Sequence, residues 1–419
     1  MADAPHLIPD PGFDLDGELD VVADLADEAS SFWVSRVRAK ELLHGAVRVG
    51  AEPGGWSRPW RFYSEQVHAL RSAQAWHPGK YWNMSRCCAG ITIEFETDAQ
   101  RIALECQVDR ESATTRNVLS AIDGPDPADR LPHDGFSCDV IDTGIVARSK
   151  VGKGAAHAAR KRTPAREAHL GPVLSGPASE EDDVLPGAEL VVFDLAPEQM
   201  PPLPGLGSTR RVCIHLPALR GCVVHDLLCD GTFIHPVAER PVLLLLGDSV
   251  AQGFVAGDPA LSWPSVVARR LRCELVNQSV GGQVFQTDSL VGLGRLPKPR
   301  HVVVALGENY RYESCNSTMV RHEIHAYLNY LETIWPDAEV RVLSPTWHDE
   351  EAWPTNPKSC FPSVPKILAD ETMRHDGWSF VDGHEVMEHS PELLADGCDH
   401  PNREGHAQIA ARMASELSD

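Results

Sequence analysis

Five consecutive apolar residues, Val242 to Leu246, run straight into Gly247-Asp-Ser249. The run is too short for a helix and too uniformly apolar for a strand with one wet face. It predicts a strand buried on both faces, as in the parallel sheets of α/β domains. Gly247, Asp248 and Ser249 break it at its carboxyl end, where open α/β sheets place their ligands. A serine there sits on a strand-to-loop turn with its hydroxyl above the sheet. Taken alone, Gly-Asp-Ser is equally well an ordinary turn and helix cap.

Downstream of this strand, strand-like and helix-like segments alternate. Ser262 to Arg272 has Trp263, Val266, Val267 and Leu271 spaced for one helix face, and Ser317 to Trp335 has Ile324, Leu328 and Leu331. Cys273 to Asn277, His301 to Leu306, Glu339 to Leu343 and Trp378 to Asp382 read as strands, with helices at Ser363 to Arg374 and Glu404 to Leu417. Such alternation predicts a doubly wound parallel sheet of the α/β class over residues 241–419.

Upstream the pattern changes. Ile91, Ile93, Phe95 and then Ile102, Leu104, Cys106, Val108 alternate with polar residues, the period of strands with one buried face. The four residues Thr97 to Gln100 between them predict a hairpin. Strand-like runs also occur at 31–37, 45–49, 189–193, 211–216 and 222–225, so residues 31–235 predict a β-sandwich, jelly-roll-like. Within it, 147–186 joins a basic block to Glu180, Glu181, Asp182 and Asp183 with almost no large apolar residue, and predicts a flexible surface loop. Residues 1–30 form an acidic, Pro-rich segment expected to be loosely ordered or to hold one short helix around Leu19 to Ala29.

With 38 basic and 60 acidic side chains the formal charge is −22, which disfavours nucleic acid and anionic membranes as partners. No signal peptide is recognisable, since the first 35 residues contain no Lys or Arg, and no apolar run reaches transmembrane length. Eleven scattered cysteines without a CxxC pair fit free thiols in a reducing cytosol better than a disulfide framework, so a cytoplasmic location is expected. No histidine spacing such as HExxH points to a metal.

Four segments fall at predicted strand ends or ahead of the last helix: Gly247-Asp-Ser249, Asn277-Gln-Ser-Val-Gly-Gly-Gln283, Gly307-Glu-Asn309 and Asp396-Gly-Cys-Asp-His-Pro-Asn402. Each is weak singly. In this order along one sheet edge they resemble the SGNH, or GDSL-type, hydrolase family over residues 241–419. The resemblance implies Ser249 as nucleophile and His400 as general base. It also implies an oxyanion hole built from the Ser249 and Gly282 amides and the Asn309 side chain, with no metal or organic cofactor.

Two departures from the family pattern matter. The family has Asp, two residues, then His-Pro, whereas Gly397 stands three before His400, with Asp396 four before and Asp399 one before. Asp396 is the expected orienting acid. Asp399 is disfavoured because neighbouring side chains in an extended loop point apart, and a backbone carbonyl remains open. Secondly, Tyr310 replaces the Asp that follows the oxyanion Asn. Trp347 and His348, past a strand end, are candidate pocket residues; Asp382, His384 and His406 read as structural. The sandwich-plus-hydrolase layout resembles two-domain carbohydrate esterases, which implies an O-acetyl ester on a small molecule or oligosaccharide as substrate. The alternatives are a lipid or thioester hydrolase, or a glycan-binding protein that kept the fold without catalysis.

Overall fold

The computed structural model describes residues 33–72, 78–109, 135–142, 145–149, 189–195, 209–312 and 314–418. The Val242–Gly247 strand lies inside a five-stranded parallel sheet. Glu274–Asn277 pairs on one side of it, and His301–Ala305, Val340–Leu343 and Ser379–Val381 follow on the other. In chain order the strands therefore run 2-1-3-4-5, the flavodoxin-like arrangement. The order reverses beside the first strand, which opens a crevice at the carboxyl ends of strands one to three.

Alternate residues of the first strand feed two separate cores. Leu244 and Leu246 pack with Val302, Val304, Val340 and Val342 beneath the helices Ser317–Ile334 and Val364–Thr372. Leu243 and Leu245 pack with Val303, Leu343 and Val381 against Trp263–Arg270 and Arg403–Glu416. Burial on both faces is what a continuous apolar run requires. Fully burying one Leu contributes roughly 1.5–3 kcal/mol. The last helix is capped by Asn402, whose side chain accepts from the Glu404 and Gly405 amides, so the helix start fixes the loop just before it.

The N-terminal half forms two six-stranded antiparallel sheets. One contains Arg101–Val108 and Cys222–Cys229, the other Thr92–Thr97 and Arg210–His215, and their inward residues share one apolar core. The expected hairpin at 97–100 is absent, because its two strands lie in different sheets. The link crosses between sheets, tied down by Asp98 accepting from Thr232 and Asp230 accepting from the Gln100 and Arg101 amides. The early strands are shifted to Ser35–Arg38 and Arg48–Ala51. The 147–186 segment begins inside a strand, Ile145–Ser149; the rest of that expected loop, and the expected helix near Leu19, lie outside the described residues.

Two helices that the strand-rich pattern does not announce, Ser64–Ser72 and Pro78–Ser85, sit between the sheets and the parallel domain. Their apolar residues Val67, Leu70, Tyr81 and Met84 share a core with Phe254, Val255 and Val280 of the C-terminal half. Among the described residues no helix is long and apolar enough to cross a membrane.

Candidate active site

Ser249 lies at the start of a short helix, Ser249–Gln252, directly after the first parallel strand. The turn is tight. A Cβ on Gly247 would stand 2.4 Å from Ala251 Cβ and 2.8 Å from Ala305 O, so only glycine fits there. Asp248 caps the helix by accepting from the Val250 amide at 3.2 Å. Its carboxyl is shut from water, which raises its pKa to about 7.

The loop carrying His400 is closed at its neck. Ala395 N donates to His400 O at 2.8 Å and Asn402 N to Leu393 O at 2.8 Å. Asp396 folds the loop from within: its Oδ1 accepts from the amides of Cys398, Asp399 and His400 at 2.9, 3.0 and 3.1 Å. That leaves Oδ2 aimed at the imidazole, 2.6 Å from His400 Nδ1. The other ring nitrogen, Nε2, is 2.9 Å from Ser249 Oγ. With Nδ1 carrying its proton toward Asp396, Nε2 is left to accept from the serine hydroxyl.

Asp399 also reaches the ring, contrary to expectation, with Oδ1 at 2.8 Å from Nδ1. The loop is a turn gathered around the Asp396 carboxylate, so neighbouring side chains converge instead of pointing apart. Arg311, fully buried, stands behind with Nη1 at 3.8 Å from Asp399 Oδ2 and hydrogen bonds to the Asp349 and Trp353 carbonyls. Burial alone would lower the His400 pKa; the Asp399 charge and the Asp396 hydrogen bond outweigh it and hold the pKa well above the ordinary value. Burial likewise opposes ionisation of Asp396, yet the His400 hydrogen bond and charge keep its carboxyl at about 2.

The loop after strand two packs against the Ser249 turn, with Val280 N donating to Gly247 O and Gly281 N to Gln252 Oε1, each at 2.9 Å. Among the described residues neither the Ser249 nor the Gly282 amide has an acceptor. The Asn309 side chain donates to Gln283 O at 3.0 Å through one of its two amide hydrogens. Tyr310 is buried and bonds Glu323 instead of taking the place of an acid in the site. Behind Ser249, Asp248, Trp263, Glu308 and Thr346 line a cavity of ≈ 20 Å³, room for about one water molecule.

The remaining candidates divide. Trp347 stacks on His389 with ring centroids 5.6 Å apart, and His348 bonds Glu350 at 3.1 Å. Asp382 caps the turn holding His384, and buried His406 accepts from Trp263 N and donates to Phe254 O, with a pKa lowered by burial to about 4. Among the described residues two groups have ligand atoms close enough to share a cation, Glu105–His225–Asp226 and Asp396–Asp399–His400. In the first, Arg36 and Arg38 already neutralise the carboxylates; in the second, the atoms face each other across His400 Nδ1. Sequence reasoning overlooked Arg311, for which a basic residue two past Asn309 was the only signal. It also overlooked Arg61 and Tyr81 of the N-terminal half, which bond to the loop carrying Gly282.

A parallel 2-1-3-4-5 sheet with a serine, a histidine and a carboxylate in line at its switch point defines the class: an α/β domain of the serine-hydrolase type. Residues 245–408 match the GDSL-like Lipase/Acylhydrolase family, so the chain carries a GDSL-like lipase/acylhydrolase domain of the SGNH kind. Among solved structures the chain is similar to the salicylyl-acyltransferase SsfX3 from a tetracycline biosynthetic pathway, at 16% identity over 92% of this chain and 96% of that one, TM-score 0.63. It is similar too to a GDSL-like lipase candidate from Bacteroides ovatus, at 15% identity over 92% and 97%, TM-score 0.62. A family two carbohydrate esterase from Clostridium thermocellum, in complex with cellohexaose, shares 12% identity over 79% and 93%, TM-score 0.50. No curated protein sequence matches.

Proposed function

We propose that the protein is a serine esterase that removes a small acyl group, an O-acetyl ester on a carbohydrate, through an acyl-enzyme. The observation that carries the esterase chemistry is the unbroken chain Asp396 Oδ2–His400–Ser249 Oγ, at 2.6 and 2.9 Å. His400 Nε2 takes the Ser249 proton as Oγ attacks the ester carbon, and Asp396 holds the ring tautomer that makes this possible. The negative charge on the carbonyl oxygen is met by the Ser249 and Gly282 amides and by Asn309. When the tetrahedral centre collapses, His400 returns the proton to the leaving alcohol. Water then repeats the sequence on the acyl-enzyme and frees the acid.

Support for a sugar ester comes from the likeness in fold to the Clostridium thermocellum esterase, read with a division into an N-terminal jelly-roll-like unit and a catalytic domain from 241. The test is turnover of p-nitrophenyl acetate by wild type and Ser249→Ala, followed by a panel of acetylated sugars against longer acyl chains. Loss of turnover in Ser249→Ala, and fluorophosphonate labelling of Ser249 alone, are expected. A catalytically idle wild type that still binds glycans would mean a binding protein. A preference for long chains would point to a lipid ester.

A further inference from the structure

The loop from Asn277 to Gln283, which carries Gly282, is held largely by residues of the N-terminal half. Arg61 is fully buried, and among the described residues no carboxylate lies within ion-pair distance of it. Its guanidinium is satisfied by main-chain carbonyls instead. Nε donates to Cys87 O and Nη2 to Met84 O, each at 2.6 Å, while Nη1 donates to Asn277 O at 2.8 Å and Ser279 O at 2.6 Å. One fork thus clamps the helix end at 84–87 to the loop after the second parallel strand. A buried cation without a counter-ion is unfavourable, and burial lowers its pKa to about 10. What it provides is geometry. A planar fork fixes four carbonyls at once, which a lysine cannot do.

Tyr81 extends the hold to the residue that matters. Fully buried, it donates its hydroxyl to Gly282 O at 3.1 Å. On the other flank, Gln252 Oε1 accepts from Gly281 N at 2.9 Å while Gln252 Nε2 donates to Ala218 O at 3.0 Å. The Gly282 N–H belongs to the peptide plane lying between these two pinned planes, so its direction is set from both sides. Gln66 adds a reciprocal amide pair with Gln278, at 2.8 and 3.2 Å.

We propose that Arg61 and Tyr81 are positioning residues for the oxyanion-binding loop, which makes the N-terminal half a working part of the catalytic apparatus. The inference rests on the assignment of Gly282 and Asn309 as oxyanion donors. It accounts for the placement of the helices Ser64–Ser72 and Pro78–Ser85 against that loop.

The test uses the full chain as wild type, Tyr81→Phe, Arg61→Lys and Asn309→Ala. Each is assayed for kcat and KM on p-nitrophenyl acetate and for inhibition by an arylboronic acid, which forms a tetrahedral adduct on the serine. Tyr81→Phe deletes one hydroxyl and keeps the ring, so its kcat should fall about tenfold with KM changed less than about twofold. Boronate affinity should fall by the same factor, at an unchanged melting temperature. Arg61→Lys should lose more; should it fail to fold, Tyr81→Phe alone decides. If Tyr81→Phe keeps full kcat while Asn309→Ala loses roughly 100- to 1,000-fold, the positioning role is wrong and the oxyanion assignment stands. If Asn309→Ala also keeps full kcat, the oxyanion assignment itself fails and takes the positioning role with it.

Discussion

At the scale of single residues, His400 is held by two acids where one would orient it. In the proposed reaction the charge of Asp399 works against catalysis as well as for it, since a base must be neutral before it can accept the serine proton. Burial lowers the imidazole pKa, but Asp399 and then Asp396 raise it further than burial depresses it. The acid limb of the kcat/KM profile should therefore lie above the ordinary imidazole range, with activity still rising beyond about pH 6.5. Asp399→Asn removes the largest raising influence and should move that limb to lower pH with a near-normal plateau. Asp396→Asn takes away the aligned acceptor and should drop the plateau by about 10⁴-fold. Profiles of the three proteins over pH 5–10 would decide; a limb unmoved in Asp399→Asn would mean that its charge is neutralised by Arg311 and not felt at the ring.

At the scale of elements, the His400 loop holds one residue more than its family's spacing, and Gly397 accommodates it. Its φ is +64°, and a Cβ there would meet nothing within 4 Å. Any effect of a side chain is thus conformational. Gly397→Ala should lower stability by about 1 kcal/mol and reduce kcat several-fold by displacing Asp396. Gly397→Asn, which tolerates the left-handed region, should recover most of both, as thermal melts and turnover would show. The extra residue was visible in the sequence, and so were the five parallel strands: Val242–Gly247 and His301–Ala305 as apolar runs that burial on both faces requires, and the shorter Glu274–Asn277, Val340–Leu343 and Ser379–Val381 by their alternation with helical segments. The antiparallel half was harder to read. Alternation showed that Thr92–Thr97 and Arg101–Val108 are strands, but pairing depends on partners far along the chain, and a short link can cross between sheets as easily as it can form a hairpin. The apolar residues that the helix Ser64–Ser72 buries are Val67 and Leu70, too few to announce a period. Arg61 and Tyr81 left no trace at all. Their partners Asn277 O and Gly282 O are main-chain atoms 216 and 201 residues away, and no residue type records a carbonyl.

At the scale of the whole molecule, the two halves are joined by buried charge as well as by apolar packing. Glu94, on an inner strand of the N-terminal sheets, accepts from both terminal nitrogens of Arg240 at 2.6 Å and from Arg211 at 2.8 Å. Arg240 sits just before the first parallel strand. Glu274 on the second parallel strand accepts from Gly45 N at 2.7 Å and lies 3.2 Å from His44 Nδ1, while Asp139 pairs with Arg269 at 3.0 Å. Burial of Glu94 opposes its ionisation, but the Arg240 and Arg211 bonds dominate and bring its carboxyl from 4.5 to about 2. A carboxylate depressed on folding stabilises the native state above its unfolded pKa, and that stability is lost as pH falls through the folded value. For Glu94 the window runs from about pH 4.5 down to about 2, and the shift corresponds to roughly 3 kcal/mol at neutral pH. Glu94→Gln keeps the shape but leaves two arginines at the seam without their acid. Its melting temperature should lie well below wild type at pH 7, and the gap should close as pH falls toward 2, where both proteins carry a neutral side chain at this position. A gap of constant size across that range would mean that Glu94 joins the halves by its packing and hydrogen bonds, independently of its charge.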